Sequence, residues 1–204
     1  PDHALAWESF APQGWISRSN PVTVSLSVYG RGSRLVAGSF RYRQKSNDVW
    51  QGWEKPLAPA IIPGNGLRWQ QPLILPGGRS AVQWRGADAA GYTNLSPVFP
   101  LNVDRQPPTL TWQLPPANSF GWYTAPLTLT ILATDTASGV SAVRLWQDGR
   151  PAGIYNAPIR LSADSNSTWT ARAEDEAGNW SRPASRIIRL DVAPPEAPAL
   201  SLRL

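Results

Sequence analysis

Residues 84–108 read WRGADAAGYTNLSPVFPLNVDRQPP and residues 171–195 read ARAEDEAGNWSRPASRIIRLDVAPP. Asp88 aligns with Asp175, Gly91 with Gly178, Asp104 with Asp191 and Pro107-Pro108 with Pro194-Pro195, every pair 87 positions apart, so the alignment needs no gap. A repeat at fixed spacing means one folding unit used in series. Gly14-Trp15 and Gly121-Trp122 also correspond, but at a spacing of 107. The first copy therefore holds about 20 extra residues between its second strand and the shared signature.

The chain has 204 residues, which suits two units of roughly 100 residues. Units of that size fold without metal or disulfide. Cysteine is absent, which excludes disulfides, thiolate nucleophiles and Cys-ligated zinc. The 21 Pro and 16 Gly separate short runs of β-branched and aromatic residues, a pattern of strands and turns rather than helices. No run of about 18 apolar residues exists to span a membrane. No secretory signal is present either. The chain opens on Pro1 and ends in mid-pattern at Leu204, as a segment of a longer protein would.

Formal net charge is +5. Lys45 and Lys55 are the only lysines, so arginine supplies the other 17 cations. Arginine stacks on aromatic rings and forks onto carboxylates, whereas lysine is a hydrated point charge. No run of five basic residues marks a nucleic-acid stripe. Exposed strand faces account for the charge; attraction to acidic glycans or nucleic acid is the alternative.

Val22-Thr23-Val24-Ser25-Leu26-Ser27-Val28 alternates apolar and hydroxyl residues, which predicts a strand with one dry face. Leu127–Ala133 is its counterpart. Ser39–Arg43 and Ser141–Trp146 follow, with Phe40 and Tyr42 inward and Arg41 and Arg43 outward. Ala81–Arg85 and Thr168–Arg172 come next. Here Val82 aligns with Trp169 and Trp84 with Ala171, a swap of large and small side chains between neighbouring layers. Val98–Val103 and Arg186–Leu190 complete the set. Pro-Pro fixes φ and removes amide donors, so each pair ends ladder pairing and stiffens a linker. The expected boundaries are 1–106, with a Trp-rich insertion at about 46–70, then 107–195, then the start of a further repeat or terminal strand at 196–204.

The second unit resembles the bacterial immunoglobulin-like (fibronectin III-like) domains repeated in large surface or secreted proteins. The matching residues are Pro107-Pro108, Gly121-Trp122-Tyr123, Asp135-Thr136-Ala137-Ser138-Gly139-Val140, Ala173–Asn179 and Ile188–Asp191. The first unit is a divergent relative: Tyr29-Gly30-Arg31-Gly32-Ser33 stands where Asp-x-x-Ser-Gly is expected, and Tyr92 replaces the Asn after Gly91. The resemblance implies two tandem antiparallel β-sandwiches joined by a short Pro-rich linker, in the role of spacer, stalk or adhesive module.

Asp88, Gly91, Asp135, Asp175 and Gly178 read as a turn signature: a carboxylate accepting turn N–H groups, with glycine supplying positive φ. Calcium ligation between domains is the alternative, though calcium wants six or more oxygens and each turn offers one or two carboxylates. His3 is the sole histidine, which leaves His-dependent triads and metal sites unsupported. No cofactor and no catalysis are expected. Asn94, Asn166 and Asn179 begin Asn-x-Ser/Thr triplets that arise readily by chance. The candidate ligand-binding residues are Trp50, Trp53 and Trp69 of the insertion, since exposed indole faces stack on sugars and cations. The competing reading is a hairpin whose tryptophans cover the sandwich edge. The expected function is a non-catalytic, extracellular or cell-surface structural and adhesive module, with neighbouring domains or subunits as partners and unpaired strand edges as contacts. A carbohydrate-binding accessory module is the alternative, with surface glycans as partners.

Overall fold

Val22, Val24, Leu26 and Val28 are all buried in β3 (Val22–Tyr29), while Thr23 stays exposed. The alternation that predicts this strand thus also sets its inner face. Ser27 is buried on the outer side, beneath the Arg68 guanidinium that donates to its hydroxyl at 3.1 Å. The computed structural model describes residues 5–10, 14–17 and 21–196. His3 and residues 199–204 lie outside them.

The described residues form an all-β fold of mainly antiparallel sheets, with one short 3-10 turn at Ala37–Ser39. The chain divides into two compact units, one made chiefly of residues up to Gln106 and one chiefly of residues from Pro107 onward.

In the first unit one sheet has the order β1 (Ala6–Phe10), β3, β7 (Gly66–Leu73), β6 (Ala60–Ile62). The other runs β2 (Trp15–Ile16), β10 (Phe99–Val103), β8 (Gly78–Ala87), β4 (Arg41–Ser46), β5 (Val49–Trp50), with β9 (Thr93–Leu95) also paired to β8. Asn47 and Asp48, both at positive φ, close the two-residue hairpin between β4 and β5. Between the sheets lie Leu26, Phe40, Trp69, Trp84 and Leu101, all fully buried. The Phe40 and Trp69 rings stand 4.5 Å apart and Trp69 and Trp84 5.9 Å apart.

The second unit pairs β11 (Thr109–Gln113), β12 (Leu127–Thr134) and β15 (Ile159–Leu161) in one sheet. Its other sheet has the order β14 (Arg150–Ile154), β13 (Val140–Gln147), β16 (Ser165–Asp175), β17 (Ala184–Leu190). Its core gathers Leu129, Leu145, Trp169, Ala171, Ile188 and Leu190.

The Gly-Trp pairs mark a feature that both units share. β2 runs parallel to β10, and the Asp104 N–H donates to the Ile16 carbonyl at 3.0 Å. In the second unit Tyr123 bridges Leu190 in parallel, and the Asp191 N–H donates to the Tyr123 carbonyl at 3.0 Å.

Two expectations need correction. The segment Ser39–Arg43 is not one strand: a 3-10 turn ends at Ser39 and β4 starts at Arg41. The Trp-rich insertion is shorter than 46–70, because Gly66–Leu73 is a central strand that pairs with β3 along its whole length. Gln71 and Pro72 interrupt the apolar alternation of β7 and disguise it. Gln71 points inward and is satisfied there, its Oε1 accepting the Leu57 N–H at 3.0 Å.

Candidate functional site on the outer face of the first unit

The alternation that buries Phe40 and Tyr42 turns Arg41 and Arg43 outward on β4. On the neighbouring β8, burial of Trp84 turns Gln83, Arg85 and Ala87 outward. Cross-strand register then sets Arg41 opposite Arg85 and Arg43 opposite Gln83. Like charges directly opposite one another destabilise a sheet, so this face needs compensation.

Part of that compensation is aromatic. After β5 the chain returns along β4, and the backbones of Tyr42 and Glu54 exchange hydrogen bonds at 2.9 and 2.7 Å. This places Trp53 over the arginines. The Arg43 guanidinium sits 4.3 Å from the Trp50 ring and 4.6 Å from the Trp53 ring, and Arg85 lies 4.6 Å from Trp53. Arg43 also donates two hydrogen bonds to Gln83 Oε1, at 3.2 and 2.7 Å. Gln83 in turn donates to the Ser96 carbonyl at 3.1 Å. Arg41 Nη1 donates to the Gly38 and Phe40 carbonyls at 2.9 and 2.7 Å. A groove of about 770 Å³ opens beside these residues, lined by Arg41, Arg85, Ala87, Thr93 and Asn94 together with Trp53.

The Tyr42 hydroxyl donates to Glu54 Oε2 at 2.7 Å, and burial followed by the Glu54 carboxylate pushes its pKa up to about 12 from 10.0. The folded chain therefore keeps this proton where an unfolded chain has lost it. The associated stability is complete below about pH 10 and lost as pH rises toward about 12. Denaturant midpoints of the first unit are expected to fall across that window, and the fall should be smaller in Tyr42→Phe. Equal slopes in both proteins would contradict this.

The second unit carries a related face. Arg144 stands opposite Arg172, and the Trp180 ring lies 5.2 and 5.0 Å from their guanidiniums. Arg144 pairs with Glu174 at 3.3 Å.

Of the candidate ligand-binding tryptophans, Trp50 and Trp53 are half-buried on this face, packed on guanidiniums rather than on Phe40 or Tyr42. Trp69 is not with them. It is 1% exposed between the two sheets, so neither face of its ring is open to a ligand. The arginines that build the groove were visible only as outward positions of β4 and β8; their pairing with tryptophan depends on the return of the chain after β5.

The turn residues lie elsewhere. Asp88 Oδ1 accepts the Ala90 and Tyr92 N–H groups at 3.1 and 3.0 Å. Asp175 Oδ1 accepts the Asn179 N–H at 2.7 Å, and its Oδ2 accepts the Asn179 side-chain amide at 2.8 Å. Asp135 Oδ1 accepts from Ala137 and Gly139 at 3.0 and 2.9 Å. Gly91 and Gly178 have φ of 86° and 81°. Carboxylate oxygens of Asp135 and Asp175 approach within 4.8 Å of each other. The divergent loop at Gly30–Ser33 has no such aspartate. Asn65 replaces it, its amide donating to the Gly30 and Ser33 carbonyls at 3.2 and 3.1 Å.

Two buried serines escaped the sequence reading. Ser96 Oγ accepts the Trp84 N–H at 2.9 Å, and Ser181 Oγ accepts the Ala173 N–H at 2.9 Å. Each also completes an Asn-x-Ser triplet, so those two hydroxyls are engaged inside the fold.

No protein-family model matches the chain, and no curated protein sequence matches it. Among solved structures, the chain is similar to the fibronectin(III)-like modules of CbhA from Clostridium thermocellum. Identity is 17% and the TM-score 0.40, with 92% of this chain and 94% of that one covered.

Proposed function

We propose that this chain is a non-catalytic structural and adhesive segment of a bacterial cell-surface or secreted protein, which spaces neighbouring parts of that protein and contacts other subunits or surfaces. The observation behind this reading is how the repeated residues are used. Asp88, Asp135 and Asp175 each turn Oδ1 to N–H groups of their own turns. The turn signature that the two units share closes each sandwich, while the differences between them reach their outer faces as well as their cores. Function grafted onto such a frame resides in those faces. Pro107-Pro108 restricts the chain that joins the units, in keeping with a spacer.

A second reading, a carbohydrate-binding accessory module, draws support from the arginine and tryptophan groove of the first unit.

Stretching single molecules tests the spacer. Two separate unfolding events are expected, each releasing roughly 300 Å of chain for a unit of about 90 residues. A single event spanning the whole chain would remove this reading, as would turnover of an offered polymer by the purified protein.

A further inference from the structure

The two units present the same sheet face in two chemical states. We propose that the groove of the first unit binds acidic polysaccharide, holding the carboxylate of a uronic acid on Arg41 and Arg85 with the sugar ring beside Thr93. This deepens the carbohydrate-binding reading above and rests on it.

Register makes the comparison. Arg41 faces Arg85 as Arg144 faces Arg172. Ala87 faces Thr93 as Glu174 faces Trp180. Arg85 and Arg172, Ala87 and Glu174, and Thr93 and Trp180 each stand 87 positions apart, the spacing of the repeat itself.

In the second unit the opposed arginines are satisfied from within. The Glu174 carboxylate lies 3.3 Å from Arg144, and the Trp180 ring lies against both guanidiniums. In the first unit the carboxylate is replaced by the methyl of Ala87 and the indole by Thr93. The arginine pair is kept. Among the described residues, no carboxylate makes ion-pair contact with Arg41, Arg43 or Arg85. The groove of about 770 Å³ opens where the acid and the ring are missing. Trp53 reaches Arg85 from the β4–β5 side and leaves the Thr93 side open.

The missing pieces describe the ligand. It must bring an anion in place of Glu174 and a ring in place of Trp180. A uronic acid joins both in one residue, and its hydroxyls face Thr93 and Asn94 on the groove wall. Guanidinium is the cation best matched to a planar carboxylate. An acidic peptide fits less well. Its natural mode is strand addition, and β4 and β8 are interior strands with both edges already paired. The net charge of +5 draws a polyanion toward the chain.

Calorimetric titration of the whole chain with tetragalacturonate tests this, beside its fully methyl-esterified form and tetraglutamate. Binding of the free acid is expected, weakening with added salt, and the uncharged ester should bind at least about tenfold more weakly. Arg41 also bonds two carbonyls of its own turn, so the decisive variant is Ala87→Glu with Thr93→Trp. It removes no side-chain hydrogen bond of this face and installs the second unit's own occupants. It should lose at least about tenfold in affinity while keeping the parent's unfolding midpoint. Conversely, Glu174→Ala with Trp180→Thr should create a second site of the same preference. Equal binding of acid and ester overturns the proposal. So does full affinity in the filled variant, binding of tetraglutamate alone, or no binding of tetragalacturonate. In those cases the spacer reading still stands or falls on the stretching experiment. Cleavage of a bound tetragalacturonate would instead sink the non-catalytic reading and leave the groove in place.

Discussion

Alanine in place of Trp84 is expected to cost the first unit about 3–5 kcal/mol, a large part of the stability of an ordinary domain. Trp84 is fully buried, with its ring 5.4 Å from Tyr42 and 5.9 Å from Trp69. Yet alanine is native at the equivalent position of the second unit, where Ala171 is equally buried. The difference lies two residues away: Val82 in the first unit corresponds to Trp169 in the second. The indole has moved one inward position along the strand. Val82→Trp combined with Trp84→Ala copies that arrangement and should lie above the single variant in stability, by the 0.5–3 kcal/mol typical of coupled neighbours, about. Urea unfolding followed by tryptophan fluorescence measures both. A Trp84→Ala protein within about 1 kcal/mol of the parent would show that the core of the first unit does not depend on this ring.

The second large effect is a single methyl group. Gly86→Ala would place a Cβ within 2.5 Å of the Phe40 ring. Phe40 is fully buried and already packed on Trp69 and Trp7, so it has no free volume to retreat into. Overpacking of this kind costs about 1–3 kcal/mol, and the upper end is expected here. The second unit again holds the compensated form. Ala173 stands where the first unit has Gly86, and Val143 stands where it has Phe40. Phe40→Val alone should open a cavity and destabilise. Phe40→Val with Gly86→Ala should cost less than the sum of the two singles, because the new methyl occupies part of the space the ring left. Strict additivity in a double-mutant cycle would refute the contact.

Much of the fold is legible in local pattern. The alternation of Val22 to Val28 marks a buried strand face because side chains on a strand alternate sides, whatever the strand later pairs with. An Asp and the amides of its own turn lie within four residues, so spacing alone bears on Asp88 and Asp175. Asp148-Gly149 is a strong local hairpin signal as well, with both residues at positive φ between β13 and β14. The strand after it, β14, shows no alternation that would extend the signal. β7 is obscured in another way: its alternation is broken by Gln71, whose burial is made tolerable by the N–H of Leu57, fourteen residues earlier.

The groove was less legible. Arg41 and Arg85 are 44 positions apart, and only the pairing of β4 with β8 sets them opposite each other. Trp53 joins them because Tyr42 and Glu54 pair after a hairpin and a bend. Sequence by itself determined the all-β class and the inward faces of the main strands, since each rests on period and spacing along the chain. Which tryptophans are core and which meet arginine was decided by the tertiary structure. Cross-strand register joins residues that are distant in sequence, and no local period carries that information.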